Sequence, residues 1–294
     1  MSDKPGNGSD SESLEYTFKY NPPMDHGVAE RVLKEAKNIL DDAGVVFLLW
    51  SGACLGAVRD GAIIPWDDDV DILSVMGVNG LTEDRRTSVL NSLRNNGFFI
   101  KEIKGRYSTG YSMIKDYIRI GWDTDYIENN TVTAFPGVQI PAEYVLNPKE
   151  ILFLGEKFFV PNPPEEYLRL KYGEEWKIPK RAGQYEIDVV KKIPDQILTG
   201  DPAWIRVLDV DDQPIYGAEV SLAGGSRSTT DESGTAEIIL PGPEFYALTI
   251  TYPGHQQVLY MEDLQPHKKY IYRTITQTET PDVGTLGNVL ILEN

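Results

Sequence analysis

The run Asp67-Asp68-Asp69-Val70-Asp71-Ile72-Leu73 sets four carboxylates within five residues directly against apolar sequence. If residues 69–72 are extended, the period of two sends Asp69 and Asp71 to one face and turns Val70 and Ile72 into a core. Two unit charges about 4 Å apart repel by about 4 kcal/mol at an effective dielectric of about 20, so a fold that joins them needs a cation there. A hard, oxygen-seeking divalent ion fits: Mg2+, with Mn2+ as the alternative, keeps several waters and completes its shell with substrate phosphates. An EF-hand is excluded, because its required glycine would fall on Ile72 and its closing glutamate on Val78.

Upstream, the apolar run Val45 to Trp50 meets Ser51-Gly52, followed by the helix-like ACLGAVR. A strand passing through a Ser-Gly turn into a helix presents backbone N–H groups and a positive helix end to an anion. Ser51, the Gly52 backbone and Arg59, able to bind bidentately, are therefore candidates for phosphate. A phosphate cradle beside a carboxylate pair is what nucleotide-dependent group transfer requires.

The segment GACLGAVRDGAIIPWDDDVDI resembles the signature of the LicD/fukutin-related family, roughly GTLLGAVR, a glycine-containing or basic turn, then IPWDDDIDI. Ala53 departs from it, standing where the family carries a hydroxyl residue. The resemblance extends through an IP-x-E segment, a hairpin around Gly155-Glu156 and EEYLRLKYG, covering about residues 27–182. It implies a nucleotidyltransferase-type α+β fold, a mixed sheet flanked by helices. It also implies transfer of a phosphorylated alcohol, phosphocholine for example, from a CDP-linked donor to a glycan hydroxyl, with CMP released. The family's third carboxylate follows an apolar run, which aligns with Tyr117 to Trp122 and points to Asp123, with Asp125 two residues on as the reserve. Lys115, Arg106 and Arg119 are available for donor phosphates or as partners of these aspartates. The expected metal set is Asp69, Asp71, Asp67 and Asp123; the expected catalytic set is Asp69, Asp71 and Asp123.

The formal charge of −17 over 294 residues disfavours nucleic acid polymers and anionic membrane surfaces as partners. A nucleotide escorted by a metal remains compatible, since the ion reverses the local field. The single cysteine, Cys54, excludes internal disulfides and thiolate zinc sites, and its apolar setting suits a small buried residue. Residues 1–15 lack an apolar leader and no later run suits a membrane span, so a cytoplasmic protein is expected.

Along the chain, residues 1–15 are small and acidic and are expected to be disordered. Val28, Val32, Leu33, Ala36, Ile39 and Leu40 mark one helical face ended by Gly44, and Thr82 caps a second helix ending at Gly97. Pro161, Pro163 and Pro164 precede a helix with Glu165 and Glu166 at its start and Gly173 at its end; Tyr167 and Tyr172, and Trp176 beyond it, are expected to pack. The catalytic domain is thus expected over 16–198. From 199 to 275 short alternating runs separated by turn signals resemble the carboxypeptidase regulatory-type, transthyretin-like β-sandwich, through Gly217 to Val220, Thr229 to Gly234 and Tyr252-Pro253-Gly254. His255 and His267 are expected in exposed loops, and 276–294 forms a last strand or tail. Two rival functions stand beside the transferase: nucleotidyl transfer from an NTP, and a non-catalytic glycan-binding or adaptor role for the sandwich.

Overall fold

The computed structural model describes residues 4–105, 108–181, 184–274 and 289–293; Arg106 lies outside them. The chain divides into two compact units, one of residues 1–134 and 139–179, the other of residues 135–138 and 180–294. The division falls at 179/180, earlier than the expected 198. Residues 184–190 belong with the second unit.

The first unit begins with α1 (Ser11–Tyr20) and α2 (His26–Asp42), followed by β1 (Leu48–Leu49), α3 (Ser51–Arg59), β2 (Asp69–Val75) and α4 (Glu83–Asn95). Next come β3 (Phe99–Lys104), β4 (Ser108–Lys115), β5 (Ile118–Asp125), β6 (Thr131–Ala134), β7 (Val138–Pro141) and α5 (Glu143–Leu146). Strands β8 (Lys149–Phe153) and β9 (Glu156–Val160) and helix α6 (Pro164–Tyr172) complete it. Seven strands form one mixed sheet in the order β3-β4-β5-β2-β1-β9-β8. The pairs β2/β5 and β1/β9 run parallel; β1/β2, β3/β4, β4/β5 and β8/β9 run antiparallel.

The expected helical face is buried in α2, where Ala29, Val32, Leu33, Ala36 and Leu40 are inaccessible. Thr82 caps α4 by accepting from the Arg85 N–H at 3.3 Å, and Gly97 follows with φ 85°. The apolar run 45–50 is buried as expected, but only Leu48 and Leu49 pair as strand, because the chain leaves the sheet at Ser51, whose φ is 44°.

The amino-terminal stretch corrects the expectation of disorder. Asp10 caps α1 by accepting from the Ser13 N–H at 2.8 Å, and Leu14 is fully buried. Its composition is polar, yet one cap and one buried leucine suffice to anchor a short helix against the sheet.

The second unit opens with α7 (Gln184–Val190), then β10 (Asp201–Leu208), β11 (Glu219–Leu222), β12 (Arg227–Thr229), β13 (Thr235–Leu240), β14 (Glu244–Tyr252), β15 (His255–Leu264), β16 (Lys269–Arg273) and β17 (Ile291–Leu292). Two four-stranded sheets result, β13-β10-β16-β17 and β12-β11-β14-β15. Their alternating apolar residues, among them Ile205, Ile238 and Tyr272 from one sheet and Val220, Ile250 and Leu259 from the other, share one core. Residues 291–292 supply the expected last strand, and 276–288 lie outside the described residues.

His255 departs from the loop expectation. It opens β15, stacks on Tyr252 with ring centroids 4.5 Å apart and hydrogen-bonds the buried Tyr272 hydroxyl at 2.8 Å; partial burial lowers its pKa. His267 is exposed, as expected, with 66% of its side chain accessible.

Candidate active site

Paired residues of neighbouring strands point to the same face, so the registers decide which side chains meet. In the β2/β5 pair Asp69 faces Arg119, Asp71 faces Gly121 and Leu73 faces Asp123. In β4/β5, Asp123 faces Gly110. Asp69, Asp71, Arg119 and Asp123 therefore share one face, while Val70, Ile72, Ile120 and Trp122 are buried on the other. Asp123 lies one pleat repeat from the level of Asp71, about 7 Å along the strand, and Asp125 two repeats, about 13 Å. That spacing selects Asp123 over Asp125 as the neighbour of the pair.

Two glycines make room for these carboxylates. A Cβ on Gly121 would stand 2.6 Å from Asp71 Oδ1, and one on Gly110 would stand 2.9 Å from Asp123 Oδ1. Glycine occupies the opposing position in each case because the acidic side chain lies across it. In the loop before β2, Asp67 holds the same relation to Gly52, whose Cβ would stand 2.9 Å from Asp67 Oδ2.

Helix α3 starts beside this face. The Trp50 N–H donates to the Asp71 carbonyl at 2.9 Å, so Ser51 follows immediately from a residue bonded to the acidic strand. No side chain caps the helix at Trp50. The Ser51 N–H donates to the Tyr167 hydroxyl at 3.0 Å, and the Ser51 hydroxyl accepts from Lys171 Nζ. Tyr167, fully buried, stacks on Trp50 at 4.6 Å, and burial holds its phenol well above the ordinary range.

Lys171 is the site residue that sequence reasoning missed. It is 3% exposed and lies on α6, 120 residues from Ser51, inside a segment whose pattern of glutamates, tyrosines and closing glycine reads as ordinary helix architecture. The available signal was its position in EEYLRLKYG, one residue before Tyr172 and four after Tyr167. Spacing of four puts Lys171 above Tyr167 on one helix face, and Tyr167 is buried.

Arg119 takes the role of partner to the aspartates. Its Nε and Nη2 donate to Asp69 Oδ2 at 3.1 and 3.0 Å, and Nη2 also reaches Asp68. Phe18 of α1 covers the guanidinium at 4.6 Å.

Two expected residues do not join the site. Arg59 ends α3, about 12 Å along the axis from Ser51, and Asp60 binds its guanidinium through Nε at 2.8 Å and through Nη2. Lys115 pairs with Ile118, which places it on the opposite face, where it binds Glu35 and the Asn96 carbonyl. Strand parity thus keeps Lys115 off the acidic face, and Asp60 engages the Arg59 guanidinium.

Charge on this face is unbalanced. Burial, then Asp69 beside it, pushes Asp68 up to about 6 against the pull of Arg119. Burial, then Asp69 and Asp123, holds Asp71 well above the usual carboxylate range. Burial also raises Asp123 to about 6, with Lys171 opposing and Asp69 adding to the shift. Asp71 and Asp123 keep some accessible surface yet are enclosed enough for burial to dominate. Asp67, Asp68 and Asp69 can each direct an oxygen to within 4.8 Å of the others', and Asp69 links that trio to Asp71 and Asp123. An enclosed, oxygen-only cluster with excess negative charge suits a hard divalent ion. Of the expected ligands, Asp67 and Asp69 belong to that trio with Asp68, while Asp71 and Asp123 stand beside it on the same sheet face.

Residues 44–163 match the family model LicD/FKTN/FKRP, nucleotidyltransferase domain. The LicD/FKTN/FKRP match spans α3, β2 and β5, and so all five aspartates. Lys171 falls just beyond it. The human ribitol-5-phosphate transferase FKTN is 28% identical over 170 residues, 54% of this chain and 35% of that protein. The mouse ribitol 5-phosphate transferase FKRP is 25% identical over 172 residues, 56% of this chain and 35% of that protein. The chain thus spans about a third of the length of the curated relatives it matches. Among solved structures, ANT(2")-Ia in complex with adenylyl-2"-tobramycin aligns with a TM-score of 0.32 at 14% identity, over 45% of this chain and 68% of that one. A cohesin–X-dockerin complex from Acetivibrio cellulolyticus aligns at 0.21 and 18%, over 24% and 52%. Both scores are too low to bear on the fold. No described helix is long and apolar enough to cross a membrane.

Proposed function

We propose that the chain is a Mg2+-dependent transferase of nucleotidyltransferase-type fold, moving a phosphorylated alcohol from a CDP-linked donor to a glycan hydroxyl and releasing CMP. The observation that carries this reading is the convergence of Asp69 and Asp71 with Asp123 on one sheet face, within the segment matching the LicD/FKTN/FKRP model. Because the relatives are named ribitol-5-phosphate transferases, a sugar-alcohol phosphate is favoured over phosphocholine as the transferred group. The transthyretin-like reading of residues 199–275 is kept as part of the proposal; the shared core of two β-sheets supports it.

Asp67, Asp69, Asp71 and Asp123 would hold the metal, which when bound neutralises charge on a donor diphosphate and its leaving group. Arg119 orients Asp69 and Asp68 through its guanidinium, keeping those oxygens on the common face. The start of α3, with the Ser51 hydroxyl, offers hydrogen bonding to phosphate at the edge of the cluster. Asp123 either closes the ligand set or accepts the proton of the attacking hydroxyl.

Incubation with CDP-ribitol, CDP-choline and NTPs, with Mg2+ present or chelated, tests the reading. Mg2+-dependent CMP release from a CDP-alcohol, abolished in Asp69→Asn, is the expected result. Pyrophosphate release from an NTP instead would establish nucleotidyl transfer, which the family model's description also accommodates. Absence of any metal-dependent nucleotide binding, with function unchanged in Asp69→Asn, would favour the adaptor.

A further inference from the structure

We infer that Lys171 is a positioning residue that makes metal binding depend on the donor: its ammonium serves as the resident counter-charge of the acidic face until a diphosphate takes it over. The inference rests on the transferase reading and extends it to the order in which ligands bind.

Three observations carry it. Lys171 is almost fully buried, where an ammonium persists only if its charge is compensated. It reaches the face from the end of α6 by donating to the Ser51 hydroxyl, and Ser51 adjoins Trp50, whose N–H is bonded to the strand at Asp71. Its field acts on Asp71 and on Asp123, whereas Arg119 hydrogen-bonds Asp68 and Asp69.

The consequence is a competition. An incoming divalent ion meets a positive charge already placed against its ligands, which weakens binding of the ion alone. A diphosphate brings anionic oxygens to the start of α3, where Lys171 already sits on the Ser51 hydroxyl, and so gives the ammonium a partner that competes with the carboxylates. Metal and donor then help each other bind, and the help is reciprocal. The reacting groups are thereby kept from assembling around a metal with no donor present.

Calorimetry with Mn2+ as the probe, with and without CDP, tests this. In the unaltered protein CDP should tighten Mn2+ binding, by an amount within the usual range for coupled sites of about 5- to 150-fold. Lys171→Gln keeps an N–H donor for Ser51 and removes the charge; Mn2+ alone should bind about tenfold more tightly and the help from CDP should shrink. Lys171→Arg should keep the wild-type pattern. Ser51→Ala, which removes the hydroxyl acceptor that shares the ammonium with the carboxylates, should weaken Mn2+ binding severalfold, and it supplies the test should Lys171→Gln fail to fold by thermal unfolding. A lysine that merely packs predicts unchanged or weaker Mn2+ binding in Lys171→Gln with CDP coupling intact, or no change in Ser51→Ala; either result overturns the inference. If Asp69→Asn binds Mn2+ as well as the unaltered protein does, the transferase reading fails instead.

Discussion

Asp71 and Asp123 in the seven-stranded sheet share their face with further carboxylates, whereas Glu262 in the second unit has each oxygen filled by a backbone N–H. Those donors are Val289 at 2.8 Å and Leu290 at 3.0 Å, and Glu262 is 1% exposed. Burial pushes all three groups upward. In Glu262 the two N–H bonds oppose the shift and fix the segment that leads into β17. Around Asp71 the nearest opposition comes from the side-chain cations Lys171 and Arg119, and the carboxylates reinforce one another. One arrangement satisfies a buried acid and holds a strand; the other leaves charge to be met by something that arrives. Crowding of like charges, more than burial, distinguishes the candidate site from a structural acid.

The largest expected effect is on transfer. Asp71→Asn should lower CMP release about 10³-fold, with the unfolding transition of the second unit unchanged. Near-normal turnover in that variant would remove the contrast.

Next is the pH dependence of stability. Glu262 is raised from 4.5 to about 7 in the folded chain, so its contribution is full below pH 4.5, declines as pH rises through that window, and is gone above 7. The span corresponds to about 3 kcal/mol at most. Glu262→Gln should flatten this slope, at about 1 kcal/mol for the N–H that an amide cannot accept. Denaturant unfolding at pH 5, 6 and 8 reads both, and a slope equal in the two proteins would show Glu262 to be uninvolved.

Gly121→Ala should cost about 10²-fold in transfer, because the new Cβ meets Asp71 Oδ1 at 2.6 Å and displaces a reacting group. Gly242→Ala, with open space around it and no positive φ, is the control that should leave turnover intact. Equal losses in the two would deny that the glycine makes room for Asp71. Smallest is His267→Ala, whose exposed ion pair with Asp201 spans 3.6 Å; a stability change above about 0.5 kcal/mol would contradict its placement.

Much of this was legible in residue order. Period two put Asp69 and Asp71 on one face and Val70 and Ile72 on the other, since side-chain alternation is a property of a single strand. Turn signals and alternating runs marked β10, β11, β13 and β14 for the same local reason. Three expectations failed for a common cause. The disordered tail became α1, Arg59 was drawn to Asp60, and Lys115 fell on the far face of the sheet; each outcome depends on what lies opposite in space. The register that brings Gly121 under Asp71 was equally out of reach, because pairing between strands about fifty positions apart is settled by the packing of the whole sheet.

Sequence by itself determined that an acidic pair would stand on one face of a strand, next to a helix start, ahead of a separate β-rich segment. Tertiary structure alone decided which third carboxylate joins that pair and which cation balances it. Lys171 reaches Ser51 across 120 residues, and docking of α6 places it there through burial of Tyr167 against Trp50. Alternation is dictated by the geometry of one backbone, while the neighbours of a charge follow from where apolar surfaces elsewhere in the chain find cover.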